Sequence, residues 1–214
     1  MNWTDKFSHI PLRLADSDHL RGSRMGGTPP ACFADAPVTC AVCNGPVQYI
    51  LTIAGDVWQP VIAQDIAVSL FVCKDFNCRW SSRQVTTPSS LVLTVHADAP
   101  RSGIPASMDS PSEGLGLIAG PETKDLEEGQ EIIIEATKVG GQPSWIQSWG
   151  YTEATRLADD GYVFLFQYTQ PVYPDDKKAG PDPFNFGTAY VFARTSPETG
   201  LPLLTDLLAC WQSS

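Results

Sequence analysis

Short apolar runs alternate with Gly- and Pro-rich breaks along the whole chain. Tyr49-Ile50-Leu51-Thr52-Ile53, Val68-Ser69-Leu70-Phe71-Val72 and Leu91-Val92-Leu93-Thr94-Val95 lie in the first half. Val163-Phe164-Leu165-Phe166-Gln167 and Thr188-Ala189-Tyr190-Val191-Phe192 lie in the second. Each is rich in β-branched and aromatic residues and is of strand length. Glu131 to Ala136, with three consecutive isoleucines, reads as a buried strand. Leu203 to Trp211 reads as a closing strand or helix, and Ile10 to Leu14 as a strand or an N-terminal arm packed on the body.

The stretch Thr137 to Gln147 interrupts this pattern with Gly140-Gly141-Gln142-Pro143, followed by Trp145-Ile146. Adjacent glycines permit backbone angles that a Cβ forbids, and the proline fixes φ and removes a donor. A tight corner that drops an aromatic anchor into the core is expected. Ser23 to Phe33 has the same order: Arg24, Met25, Gly26-Gly27, Thr28, Pro29. From Gly26 to Tyr49, and from Gly140 to Val163, there are 23 positions, and a second strand follows in each half. These matches predict two diverged copies of one unit: corner, strand, loop, strand.

The expected organisation is one compact domain. Residues 1–98 form the first repeat with an N-terminal arm, 99–130 a connecting loop region, and 131–214 the second repeat. Ala99 to Pro105 and Asp109 to Gly114 have loop composition, as has Pro171 to Pro183. With 17 glycines and 18 prolines in 214 residues, many turns and short strands are favoured over long helices.

A formal net charge of −10 argues against a nucleic-acid binder, which needs a basic face for phosphates. It suits a basic partner. No apolar stretch is long enough to span a membrane, and Met1 to Lys6 do not open a signal peptide, so a cytoplasmic protein with reduced thiols is expected.

In that setting the cysteines carry the strongest chemical signal. Cys40-Ala41-Val42-Cys43 is a C-x2-C turn with Gly45-Pro46 behind it, and Cys73 and Cys78 form a second, looser pair. Four soft ligands so paired suit a closed, structural Zn²⁺ site. Four buried thiols, or a C-x2-C redox pair, are the alternatives. The expected fold class is therefore β-rich α+β, an internally duplicated antiparallel sheet unit with a zinc knuckle in the first repeat. Cys32 reads as a stray ligand or core thiol, and Cys210 as core.

No catalytic set is evident. His9, His19 and His96 are not near a Ser or Cys with an orienting acid, and each reads as a surface or capping residue. The Gly114 to Gly120 stretch has the wrong glycine spacing for a dinucleotide loop. Asp159-Asp160 and Asp175-Asp176 read as solvated loop carboxylates. Trp145, Trp149, Tyr151 and Tyr173 give the second half an aromatic bias, either core packing or a binding surface. The candidate partner surface combines Trp149, Tyr151, Asp159, Asp160, Tyr173, Asp175 and Asp176.

Lys138 to Gln147 resembles the Lys-Val-Gly-Gly-x-Pro-x-aromatic-x-Gln motif of the YwqG-like family, and Phe164-Leu165-Phe166-Gln167 resembles its Leu-Leu-Phe-Gln strand. Phe186 to Phe192 is similar to its Trp-Gly-Asp-x-Gly-x-x-x-Phe-Phe segment, without the Asp and the second Gly. Cys40 to Leu51 with Leu70 to Cys73 is similar to the zinc-knuckle half of the programmed cell death protein 2 group. The resemblance covers roughly residues 25–80 and 135–211. It implies a duplicated β-rich fold, no enzyme activity and a protein-binding role. Bacterial members are linked to toxin loci as immunity proteins, and eukaryotic members are chaperones for a ribosomal protein. The expectation that follows is a cytoplasmic immunity protein that binds and neutralises a cognate basic toxin. A chaperone-like module for a basic ribosomal protein is the alternative, and a zinc-dependent hydrolase a third.

Overall fold

The computed structural model describes residues 8–15, 22–58, 66–98, 115–124, 137–169, 183–184 and 187–213. The strand expected over Glu131 to Ala136, most of the Pro171 to Pro183 loop, and His19 lie outside them. The protein is β-rich. Its strands are β1 (Ser8–Leu14), β2 (Arg24–Met25), β3 (Val47–Ala54), β4 (Ile66–Cys73), β5 (Leu91–Ala97), β6 (Leu115–Ala119), β7 (Thr123–Lys124), β8 (Lys138–Gly140), β9 (Tyr162–Thr169), β10 (Thr188–Thr195) and β11 (Pro202–Gln212). The helices among the described residues are α1 (Phe76–Trp80) and α2 (Trp149–Asp159), with short 3-10 turns at Ala31–Phe33 and Gly55–Trp58.

All the strands join one sheet in the order β11-β10-β9-β8-β1-β6-β2-β3-β4-β5, with β7 paired to β1 off that path. Every pairing is antiparallel. The two ends of the path, β11 and β5, lie against each other, so the sheet curls almost closed. Closure of this kind protects edge strands. The main core fills the curl: Leu12, Met25, Leu51, Ile53, Leu70, Val139, Phe166 and Trp211 are all buried there. Trp211 also donates its Nε1–H to Arg79 O at 2.9 Å, tying β11 to the end of α1.

Segments predicted to be loop provide two elements. Leu115 to Ala119 is strand β6 at the middle of the sheet. Its Gly114-x-Gly116 setting hides a short apolar run whose partners are distant in sequence. Asp159 ends α2 rather than lying in a loop, and Asp160 is the residue after it. Gly161, at φ +83°, stops the helix with a conformation that suits glycine. Arg156 pairs with Glu153 at 2.8 Å and Asp160 at 3.2 Å, the spacings that meet on a helix surface. Leu203 to Trp211 is strand: Leu203 and Leu207 to Trp211 pair with β10, with an irregularity over Leu204 to Asp206.

The two ends of the sheet share one strand order. The ladder β2-β3-β4-β5 corresponds to β8-β9-β10-β11, with β2 and β8 each leading into a Gly-Gly corner. Gly26, Gly27, Gly140 and Gly141 all have φ between +62° and +72°. A register shift in β3/β4 falls between Tyr49 and Leu51, and one in β9/β10 falls between Val191 and Phe192, opposite Phe166 and Phe164. The extra residue reverses which face of the strand turns inward. Tyr162 and Phe164 therefore join a second, smaller core, whereas Phe166 and Tyr168 join the main one. Because Tyr49 and Phe164 occupy equivalent places opposite Phe71 and Phe192, the spacing that equates Tyr49 with Val163 is off by one residue.

The leading strands are exchanged. β1 pairs with β8 of the other half, and β6 pairs with β2 of the first. Leu12 N donates to Thr137 O and Leu117 N to Ser23 O, both at 2.8 Å. Ala15 N donates to Gly116 O at 2.9 Å, and Gly120 N to Pro11 O at 2.8 Å. At the centre of the β1/β6 ladder Arg13 faces Ile118, flanked by Leu12–Ala119 and Leu14–Leu117.

Candidate metal centre

The knuckle begins where the chain returns from the first corner. Thr39 and Pro46 form a bridge, Cys40 N donates to Gly45 O at 3.0 Å, and Asn44 N to Cys40 O at 2.9 Å. Asn44 takes φ 57°, closing the turn. Backbone N–H groups then point at the sulfurs: Val42 N to Cys40 Sγ and Gly45 N to Cys43 Sγ, each 3.4 Å. A Cβ on Gly45 would lie 3.1 Å from Cys43 Sγ, close enough that the sulfur would have to shift by a few tenths of an ångström.

The second pair is set by β4 and α1. Cys73 ends β4, opposite Val47, and Lys74 N donates to Pro46 O at 3.0 Å, which holds the two segments together. Asp75 caps α1 by accepting from Cys78 N at 2.9 Å. That cap places Cys78 on the inward side of the short helix.

The four sulfurs converge. Cys40 Sγ lies 3.6 Å from Cys78 Sγ and Cys43 Sγ 3.5 Å from Cys73 Sγ, with all four within 4.8 Å of one another. A tetrahedron with Zn–S bonds of about 2.3 Å has edges of about 3.8 Å. The cluster thus has the size of a metal site. Cys40 and Cys73 are buried, Cys78 is half-buried and Cys43 is exposed, so an ion would sit at the rim of the sheet.

Electrostatics favour the same reading. Burial pushes the Cys73 thiol up to about 11, aided by the Cys43 and Cys40 thiols and opposed by a backbone N–H of Asp75. Burial, then the neighbouring sulfurs, raise Cys78 further. At Cys40 burial also opposes ionisation, but the N–H groups of Cys43 and Val42 and the adjacent thiols outweigh it and lower its pKa. Ionisation of Cys73 and Cys78 is thus resisted, which a divalent cation would reverse.

At the matching corner of the second half, Tyr162 and Arg194 face each other where Val47 and Cys73 do in the first. There Arg194 Nε meets Asp206 Oδ2 at 2.6 Å, Tyr162 OH donates to Asp206 at 2.8 Å, and the guanidinium lies 4.5 Å over the Tyr162 ring. An ion pair and a ring occupy the corner that four thiols occupy in the first half.

A polar ladder crosses each half beneath its corner. In the second, Gln167 Oε1 accepts from Ser144 N at 2.9 Å, Tyr190 OH donates to Ser144 O at 2.8 Å, and Gln212 Oε1 accepts from Ile146 N and Gln147 N at 2.9 and 3.0 Å. The corner residue Trp145 is buried 4.3 Å from the Tyr190 ring, as expected of the anchor. In the first, Tyr49 OH, Thr52 Oγ1, Ser69 Oγ and His96 Nε2 form a chain with links of 2.7, 2.8 and 2.7 Å. His96 Nδ1 meets Ala97 O at 2.6 Å, and Phe33 packs edge-on to His96 at 5.0 Å. The sequence shows no Ser–His pair because Ser69 and His96 sit on different strands. Ser69 is fully buried, so its hydroxyl serves the ladder. Burial lowers the His96 pKa.

Of the candidate partner residues, Trp149 and Tyr151 lie in the first turn of α2 and Asp159 and Asp160 at its far end. Tyr151 and Asp159 are exposed, and Asp160 is engaged by Arg156. Tyr173, Asp175 and Asp176 lie outside the described residues. Cys210 is core and Cys32 is exposed. The aromatic pair that composition did not single out is Phe76 and Trp80 on α1, 54% and 49% exposed with ring centroids 5.7 Å apart. Their position between and just beyond Cys73 and Cys78 is the signal that could have marked them.

No family model matches the chain, and no curated protein matches it either.

Proposed function

We propose that this is a protein-binding module, clasped by one structural zinc ion, that neutralises a cognate basic toxin by direct binding. Phe76 and Trp80 carry the binding reading: two large side chains stand in solvent on the same helix that supplies Cys78. Exposed aromatics side by side are costly for a surface with no partner. The zinc reading rests on the four converging sulfurs. Four thiolates fill a tetrahedral shell, which favours a structural role over a hydrolytic one. The toxin reading draws on the resemblance to YwqG-like proteins and on the net charge of −10, which would speed capture of a basic partner. Reduced thiols suit the cytoplasm.

The matched ladders, corners and exchanged strands also support descent by duplication of one β unit, the first copy keeping a metal clasp and the second an ion-pair clasp. The test is co-expression with the product of the adjacent gene. Capture of that product, with protection of the cell from it, is the expected result. No complex and no protection would reject the toxin reading, and recovery of a basic ribosomal protein in its place would favour a chaperone.

A further inference from the structure

Residues 80–84, just after the metal-bearing helix, and residues 147–149, where the second corner meets α2, enclose a groove of about 560 Å³. It is lined by Trp80, Ser81, Arg83, Gln84, Gln147 and Trp149. Arg83 is the charged residue among them. Its guanidinium lies 4.3 Å over the Trp80 ring and 5.8 Å from Trp211. Nη2 donates to Gln147 Oε1 at 3.4 Å and to Ser213 Oγ at 3.2 Å. Nε is buried, with no hydrogen-bond partner among the described residues.

Gln147 is itself fixed. Its Oε1 accepts from Trp149 Nε1 at 2.6 Å, its Nε2 donates to Ser213 O at 3.0 Å, and its backbone N donates to Gln212. The Arg83 fork is therefore held in place before anything binds. Three other arginines meet carboxylates: Arg24 with Asp98, Arg156 with Glu153 and Asp160, Arg194 with Asp206. Among the described residues no carboxylate pairs with Arg83, in a chain with 24 acidic and 14 basic residues. A positioned, stacked guanidinium without an anion is complementary to a carboxylate.

We propose that this groove docks an extended segment of a partner protein, with one Asp or Glu carboxylate on Arg83 and a neighbouring apolar side chain against Trp80 and Trp149. The aromatic surface continues past the groove from Trp80 to Phe76, more than a small anion would cover. One cation in the groove, on a chain of net charge −10, does not suit a nucleic acid. The inference rests on the reading of the aromatic face as a binding surface and adds its selectivity: overall charge attracts a basic partner, and Arg83 requires that the partner offer one carboxylate.

The probe is a random-peptide phage library panned on the zinc-loaded protein, with selected peptides synthesised and titrated by fluorescence anisotropy. Selected peptides are expected to share an acidic residue beside an aromatic or aliphatic one. Changing that residue to its amide should weaken binding about tenfold, equivalent to about 1.4 kcal/mol. Arg83→Gln should weaken binding as much, with no further loss for the amide peptide. Gln84→Glu, at an exposed position, should do the same by placing a carboxylate beside the cation. Circular dichroism and metal content verify each variant. Selection of no peptide, of peptides without a carboxylate, or of acidic peptides indifferent to both variants overturns the proposal. So does displacement by inorganic phosphate or by a single-stranded oligonucleotide. A protein that selects acidic peptides but protects against no toxin keeps this proposal and loses the toxin reading; the converse result separates them the other way.

Discussion

The backbone N–H of Leu12 donates to the carbonyl of Thr137 at 2.8 Å, across most of the chain's length. Its counterpart, Leu117 to Ser23, crosses in the opposite sense. Each half thus completes the other's sheet with its own leading strand.

That exchange predicts a single cooperative unit. Residues 1–98 expressed alone should not melt cooperatively, because β2 would lose its β6 neighbour and present an open edge. Mixed with residues 99–214, the fragment should recover a cooperative transition by circular dichroism. A monomeric, cooperatively folded first half would show the exchange to be dispensable.

A second prediction concerns Gly150. A Cβ built there overlaps the Trp145 ring at Cδ2 and Cε3, so helix α2 can approach the corner only with glycine at that position. Gly150→Ala should destabilise by about 1–3 kcal/mol, the usual cost of overpacking a core. Urea denaturation measures it. A neutral result would mean that α2 can slide away without loss of the Trp145 packing.

Much of this architecture is legible in the chain. The Gly-Gly-x-Pro corners, the strands around Leu51, Leu70, Phe166 and Val191, and the paired cysteines all announce themselves, since local composition dictates turns, apolar runs and thiol spacing. What is not legible depends on partners remote in sequence. β6 has five residues and gains its place only between β1 and β2. The bulges that set Tyr49 level with Phe164 leave no mark in composition. Helix α2 begins with Trp149 and Gly150, poor helix formers whose position is fixed by the corner below. Arg83 is one polar residue in a loop, and its role comes from Trp80, Gln147 and Ser213 meeting around it.

The Ser69–His96 link predicts a pH dependence. Burial holds the His96 pKa below its ordinary value. The unfolded chain therefore takes up a proton first, and stability is present above the unfolded pKa of about 6.5 and falls as pH drops below it. His96→Gln places an uncharged amide where Gln212 sits in the other half. The variant should lose that part of the slope between pH 7 and pH 5, while its stability at neutral pH changes by about 1 kcal/mol or less. Parallel slopes for the two proteins, in thermal melts across that range, would remove His96 as the source.

Metal removal gives the most direct test of the clasp. Purified protein is expected to hold one zinc per chain, with four sulfur neighbours by X-ray absorption. Cys43→Ser should abolish retention, although Cys43 is exposed and its loss opens no core cavity. Cys32→Ser and Cys210→Ser should retain the metal, since neither belongs to the cluster. Free zinc at a hundredfold its Kd should stabilise the folded chain by about 2.7 kcal/mol. Binding should release protons and weaken as pH falls, because thiols held in the neutral form must ionise to bind. The loss of stability on chelation should fall first on α1, which is anchored by Cys78 and buries no residue of its own. Hydrogen exchange of Phe76 to Trp80 would then quicken before that of β9 and β10. Uniform exchange, or a melting point unchanged by chelation, would mean that the four thiols meet without holding an ion.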